Sequence, residues 1–345
     1  MRRSLYAIAC LLMLAFSVGL VPANAQDATP AATPGGAASP AADCATEDQN
    51  VAAAQQWYAV FGTEDDAALA DLVQPDILHH WGIGEDTSTA EDLIARADAF
   101  ATAFPDFQAT VDEVLADGDF VVIRWIATGT QSGPFFDVEP GGVKATWSGI
   151  NVFQFACGKI AESWSEFDAV GLMAQLTGMA DPIEGDLPTP IADATPAADC
   201  APTSEQDAAD VAARWGDLWD EGDVDLFDEL ASPDSVHHWG LGDDTTSLAD
   251  FKDRISTLFA GFSDLRQTNE EPIVDGDLVA VRWSMTGTQD GPIFGFEPTG
   301  AEITWTGINI FRVECGQVVE SWSEADGLGL RNQLEAASGT ATPEA

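Results

Sequence analysis

Glu162, Trp164, Glu166 and Asp168 stand at every second position after the pair Cys157-Gly158, and Glu320, Trp322, Glu324 and Asp326 repeat the arrangement after Cys315-Gly316. Alternate side chains of an extended chain share a face, so each copy sets three carboxylates and an indole on one side of a strand. A carboxylate moves protons near neutral pH when an apolar surround raises its pKa. Two structural roles compete with that chemistry. Asp168 precedes a short predicted helix, 169–176, whose first backbone N–H groups its carboxylate would accept, and the glutamates equally suit a solvated outer face. Alternation leaves open which face looks inward.

Other residues extend the candidate set. Arg124 and Arg282 alternate with apolar neighbours on predicted strands, either as anion anchors in a pocket or as buried partners of nearby carboxylates. The four histidines form two adjacent pairs, ending in His80 and His238. Neighbours on a strand point opposite ways and no further histidine completes a cluster, so no metal site is expected. No Asp-x-Asp-x-Asp-Gly loop supports calcium binding, and no Gly-x-Ser-x-Gly elbow supports a serine nucleophile.

The elements that must position these residues come in two copies, 158 residues apart, and internal duplication at a fixed period sets the domain count. Residues 1–25 read as a signal peptide: Arg2 and Arg3, an apolar run from Leu5 to Val21, then Ala23-Asn24-Ala25. A leader rich in Ala, Thr and Pro, 26–43, and a similar linker, 181–199, flank a first domain at 44–180 and a second at 200–336, with a flexible tail at 337–345. After signal removal four cysteines remain, Cys44 and Cys157 in one copy, Cys200 and Cys315 in the other. In an exported protein this suggests one disulfide per domain, with other pairings open. The formal net charge of −45 disfavours nucleic acid and anionic membrane surfaces as partners. The expected location is extracellular, with no membrane association after cleavage.

Within the first copy, periods near four predict helices from Thr46 to Gly62, from Asp65 to Val73, and from a capping box Ser88-x-x-Glu91 through Phe104. Val51, Ala54, Tyr58 and Phe61 form the apolar face of the first. The period then falls to two. Strands at 109–115 and 120–130 flank Asp117-Gly118-Asp119, a third runs from Lys144 to Phe155, and the opening stretch is the last. Three helices followed by long antiparallel strands predict an α+β domain. The second copy predicts helices at 205–219, 224–230 and 248–262, then strands to Ala325.

In these residues the chain resembles the SnoaL-like polyketide cyclases and ester cyclases of the nuclear-transport-factor-2-like superfamily. The features are Pro75-Asp76-x-x-x-His80, Phe104-Pro105-Asp106, Arg124-Trp125, Gly129-Thr130-x-x-Gly133 and Glu162-x-Trp164-x-x-x-Asp168, returning at Pro233-Asp234, His238, Arg282-Trp283, Gly287-Thr288 and Glu320-x-Trp322-x-x-x-Asp326. The resemblance implies two tandem cone-shaped α+β barrels, each with three N-terminal helices packed on a curved, mostly antiparallel sheet around an apolar pocket. It implies cofactor-independent ring closure with an aspartate as acid/base, and an internal pseudo-dimer of the two copies. On that reading Asp168, Asp326, His80 and His238 are the catalytic candidates, and Trp164, Trp322, Glu162, Glu320, Arg124, Arg282, Trp81 and Trp239 contact a small hydrophobic ligand. Two departures weigh toward binding without catalysis: Gln131 and Gln289, and Ser163 and Ser321, stand where many ester-cyclase-like members carry histidine. The two functions in view are thus an exported cyclase- or isomerase-like enzyme and an extracellular binding module.

Overall fold

The computed structural model describes residues 45–63, 65–180, 203–240 and 244–339. The segments expected to be signal, leader and linker lie outside these residues, as do Cys44 and Cys200.

The first repeat runs α1 (Glu47–Val60), α2 (Asp66–Leu72), β1 (Val73–Trp81), α3 (Ala90–Ala103), β2 (Gln108–Asp117), β3 (Phe120–Thr130), β4 (Lys144–Ala156), β5 (Lys159–Phe167) and α4 (Ala169–Leu176). Thr46 and Gln49 close a capping box at the start of α1, and Asp65 caps α2. The cap of α3 is Thr89, whose hydroxyl accepts from Asp92 N, one residue beyond the expected Ser88. The fully buried residues of α1 are Asn50, Ala54 and Trp57, and the expected Val51, Tyr58 and Phe61 pack half-buried on the same core; Trp57 stacks on Phe61 and on the His79 ring. Tight turns at Gly118 and Gly158, both at positive φ, join the long strands.

The sheet order is β1-β5-β4-β3-β2. All pairs are antiparallel except β1 with β5. The sheet is open: β1 and β2 are edges that do not pair with each other, so the expected barrel does not close. Helix α1 packs against β2 and α3 against β1, covering the open side in place of further strands, as edge strands require.

The second repeat has α5 (Glu205–Glu221), a 3₁₀ segment (Val224–Glu229) where an α-helix was expected, β6 (Ala231–Trp239), α6 (Leu248–Gly261), β7 (Arg266–Asn269), β8 (Ile273–Asp275), β9 (Leu278–Thr288), β10 (Glu302–Glu314), β11 (Gln317–Ala325) and α7 (Gly327–Ala337). Its sheet follows the same path. Pro272 lies between β7 and β8 and has no N–H to give the ladder, so the strand that is continuous in the first repeat is split here.

Each repeat has its own apolar core. A third cluster joins Leu115, Val122, Ile150 and Val152 to Ile308, Ile310 and Trp322, so the outer faces of the two sheets pack on each other. This explains β3, where nine consecutive residues are buried: one face serves the repeat's own core and the other meets the second repeat. The contacts are reciprocal. Asp275 accepts from Ala116 N at 3.1 Å and Asp117, its counterpart, from Val274 N at 3.4 Å. Among the described residues no helix is long and apolar enough to cross a membrane.

Candidate functional site

Strand alternation sorts the candidates onto two faces. On β1 and β5, His79, Trp81, Ser165 and Phe167 line a cavity between sheet and helices. His80, Glu162, Trp164 and Glu166 turn the other way, toward the second repeat.

The cavity of the first repeat measures about 320 Å³. Its walls are aromatic, with Trp57, Phe61, Phe100, Trp125, Trp147 and Phe167 among them, and few polar groups interrupt them, as in small-molecule pockets generally. Asn151 is one. Its Oδ1 accepts from Trp125 Nε1 at 2.6 Å and from the Tyr58 hydroxyl at 2.9 Å. The indole N–H is a donor only, so the carboxamide is oriented with its oxygen toward Trp125 and its NH₂ free to donate elsewhere. Burial raises the Tyr58 pKa well above 10.0, so the phenol stays neutral.

His79 is the other. It is 0% exposed; its Nδ1 meets Ser163 Oγ at 2.5 Å, and its ring lies 4.0 Å from that of Trp81. Its Nε2 is buried with no hydrogen-bond partner. Burial, then the charges of Arg96 and His80, lower its pKa to about 3. The imidazole is therefore neutral, with one nitrogen held and the other buried without a partner. Arg96 supports the rim, its guanidinium 4.3 Å from the Trp81 ring centre and donating to the carbonyls of Ile83 and Glu85.

The second cavity measures about 250 Å³ and keeps Trp215, Trp239, Trp283, Trp305 and Asn309 on its wall. His238 borders it, but both ring nitrogens are taken, by Asp244 at 2.7 Å and Glu320 at 3.1 Å. Burial works to lower the His238 pKa, but those carboxylates prevail and raise it to about 9.

The residues singled out on the last strands meet at the boundary between the repeats. His80 bonds Asp86 at 2.7 Å and Glu162 at 3.0 Å and stacks on Trp164. The Arg282 guanidinium stands 3.6 Å from the Trp164 ring centre, and Arg124 faces Trp322 at 5.3 Å; Arg124 is also ion-paired with Asp112. Asp168 and Asp326 cap α4 and α7, accepting from Gly171 N at 2.8 Å and Gly329 N at 2.7 Å. Burial raises Asp168 to about 6 despite that bond and raises Asp326 as well. Neither aspartate lines a cone cavity. Of the ligand-contact candidates, Trp81 and Trp239 do.

Sequence reasoning passed over His79, Tyr58 and Asn151. One signal was present: His79 shares strand parity with Ile77 and Trp81, whereas His80 shares it with Asp76, so the apolar parity marked the inner histidine. Among the described residues no group of three or more His, Cys, Asp or Glu side chains is arranged to hold a metal.

Among solved structures, the chain is similar to a protein from Jannaschia Sp. CCS1 assigned as a SnoaL-like polyketide cyclase, with 27% identity over 38% of this chain and 94% of that one and a TM-score of 0.36. AclR from Streptomyces galilaeus, assigned as a hydroxylase, shows 26% identity over 40% and 87%, TM-score 0.36. IdmH from Streptomyces antibioticus, assigned as a polyketide cyclase, shows 28% over 37% and 99%, TM-score 0.34. No curated protein matches. The family model for SnoaL-like polyketide cyclase matches residues 51–176 and again residues 209–334, which together span most of the sequence; the chain belongs to the SnoaL-like polyketide cyclase family and carries that domain twice in tandem.

Proposed function

We propose that this protein is exported and performs cofactor-independent acid/base chemistry, of the cyclase or isomerase type, on a small apolar carbonyl compound enclosed in an aromatic cone. The observation that carries this reading is His79 on the wall of an apolar cavity, with its Nε2 buried and unpartnered. A buried polar atom without a partner costs free energy, and a substrate oxygen or an acidic C–H beside it removes that cost. With Nδ1 held by Ser163, Nε2 is placed to donate to a carbonyl oxygen or to take the α-proton, according to tautomer. The Asn151 amide is the second donor for the same oxygen. The signal-like residues 1–25 support export. So does the oxidised state of Cys157 and Cys315, for which the partners we propose are Cys44 and Cys200.

A specific observation favours a second reading, a binding module without turnover. Both strand-end aspartates are engaged as helix caps, so neither cone contains a titrating carboxylate from that pair. Exchange of solvent deuterium into the α-position of aryl methyl ketones, followed by NMR on the full chain, separates the two. Catalysed exchange that falls by about 10²-fold or more in His79→Gln, with ketone binding retained, supports the enzyme. Binding with no exchange above buffer supports the module.

A further inference from the structure

The two cones descend from one sequence pattern, yet position by position they differ where the chemistry is. Ile77 in the first repeat corresponds to Ser235 in the second. The Ser235 hydroxyl lies 3.0 Å from His237 Nε2, the atom that in His79 is unpartnered, while His237 Nδ1 still meets Ser321 Oγ at 2.6 Å. Leu93 corresponds to Phe251, whose ring centre is 4.1 Å from that of His237. His79 lines its cavity and His237 does not.

The polar partner across the cavity has changed too. Tyr58 corresponds to Gly216, and a side chain on Gly216 would collide with the Asn269 carboxamide. In the second cone Asn309 Oδ1 takes its second bond from Ser323, at 2.8 Å, beside that from Trp283 Nε1 at 2.9 Å. The walls, by contrast, keep four tryptophans in corresponding places, at 57, 81, 125 and 147 and at 215, 239, 283 and 305. Ser235 lies within hydrogen-bond reach of an imidazole but is 0% exposed and absent from the cavity wall, so it is not a nucleophile in waiting.

We propose that the cones have divided the work: the first is the reacting site, and the second, its histidine tied by Ser235 and covered by Phe251, is a binding-only cone for the same class of flat, apolar carbonyl ligand. This rests on the acid/base reading of the first cone and adds to it that turnover is confined to one repeat. The retained tryptophan walls keep affinity for a flat apolar body in both, since ring burial and stacking need no titrating group. What the second cone lacks is a wall imidazole with a nitrogen left unsatisfied.

The test uses the full chain and 2-acetylnaphthalene as probe. Long-range ¹H–¹⁵N correlation of the imidazoles reads Nε2 of His79 and His237 separately during titration, and indole quenching counts the ketones bound. Two ketones per chain, with the His79 Nε2 resonance moving and that of His237 fixed, is the expected result. Ile77→Ser, which installs in the first cone the side chain the second already accommodates, removes the His79 response and lowers α-exchange by at least tenfold, whereas Ile77→Val changes neither. Equal movement of both imidazoles, or an unaltered His79 response in Ile77→Ser, overturns the division of labour while leaving the acid/base reading standing; movement of His237 alone overturns both. Failure of any ketone to bind overturns both.

Discussion

Thr306 of the second repeat donates its hydroxyl to Glu166 of the first at 2.7 Å, and Ser148, the residue corresponding to Thr306, returns the bond to Glu324 at 2.5 Å. The second oxygen of each glutamate is buried without a partner, and the two side chains are 7% and 4% exposed. Burial pushes both carboxyls up to about 8, against the relief offered by the hydroxyls. The boundary between the repeats is therefore assembled around carboxyl groups that are neutral when it forms.

Stability should fall as pH rises through the neutral range. Below the ordinary glutamate pKa of about 4.5 both carboxyls are protonated in the folded and unfolded chain alike. Between there and about 8 the unfolded chain ionises while the folded one holds its protons, so folding loses ground; above 8 the loss is complete. His238, raised to about 9, acts in the same direction over a window that ends higher. Below about 6.5 the buried His79 and His237, each lowered to about 3, work the other way, so it is from about pH 7 to 9 that thermal unfolding should show a declining Tm, and Glu166→Gln with Glu324→Gln should flatten that decline except for the His238 part. Parallel profiles in wild type and the double variant would place its source elsewhere.

Asp168 separates a cap from an acid. Asp168→Ala should cost about 1 kcal/mol, the usual worth of an N-cap side chain, while Asp168→Asn, which keeps an acceptor for Gly171 N, should stay close to wild type in Tm. Ketone binding and α-exchange should survive the Asn change, because Asp168 does not line the cone. Loss of exchange in a stable Asp168→Asn protein would return the aspartate to the chemistry.

The architecture was legible because it depends on patterns that each repeat states alone: helical period, then alternation, then Asp-Gly-Asp and Cys-Gly turns at matching places. The site was legible only in part. Glu162, Trp164 and Glu166 do share a face as alternation requires, but that face meets the other repeat, and no local pattern distinguishes burial against a partner sheet from burial in a core. The burial of β3 on both sides, from Val121 to Gly129, is the trace the boundary leaves in sequence: its apolar residues, interrupted only by Arg124 and Thr128, depart from alternation. Which histidine of an adjacent pair turns inward is fixed by the register of β1 against β5, where His79 pairs with Ser163, and register is a tertiary fact.

Arg124 and Arg282 predict unequal responses to one kind of change. Asp112 sits at the irregularity between Val111 and Glu113, where β2 bulges against β3, and that extra residue brings its carboxylate onto Arg124 with both side chains nearly buried. Removing one partner of a buried pair strands the other's charge, so Asp112→Ala should cost about 3–5 kcal/mol. Glu270 holds the corresponding place, but Arg282 rests over Trp164 with no ion pair among the described residues, and Glu270→Ala should cost less than about 1 kcal/mol. Denaturant unfolding of the two variants checks the contrast, and equal losses would contradict it.

Gly149 decides where Trp125 lies. The two pair directly across β4 and β3, and a Cβ on Gly149 would overlap the Trp125 indole, so the ring lies flat over the glycine only because no side chain is there. From that position its N–H reaches Asn151 Oδ1 and fixes which end of the carboxamide is left for a ligand. Gly149→Ala should displace the indole, cost about 1–3 kcal/mol as overpacking does, and release Asn151, weakening ketone binding in the first cone only. Trp125→Phe distinguishes the two consequences: the ring remains and stability drops little, yet the donor to Asn151 is gone, so binding should weaken without the packing loss. The Asn151 side-chain amide resonances report the orientation directly. If they are unmoved in both variants, Tyr58 alone orients the carboxamide, and Tyr58→Phe becomes the change that weakens binding.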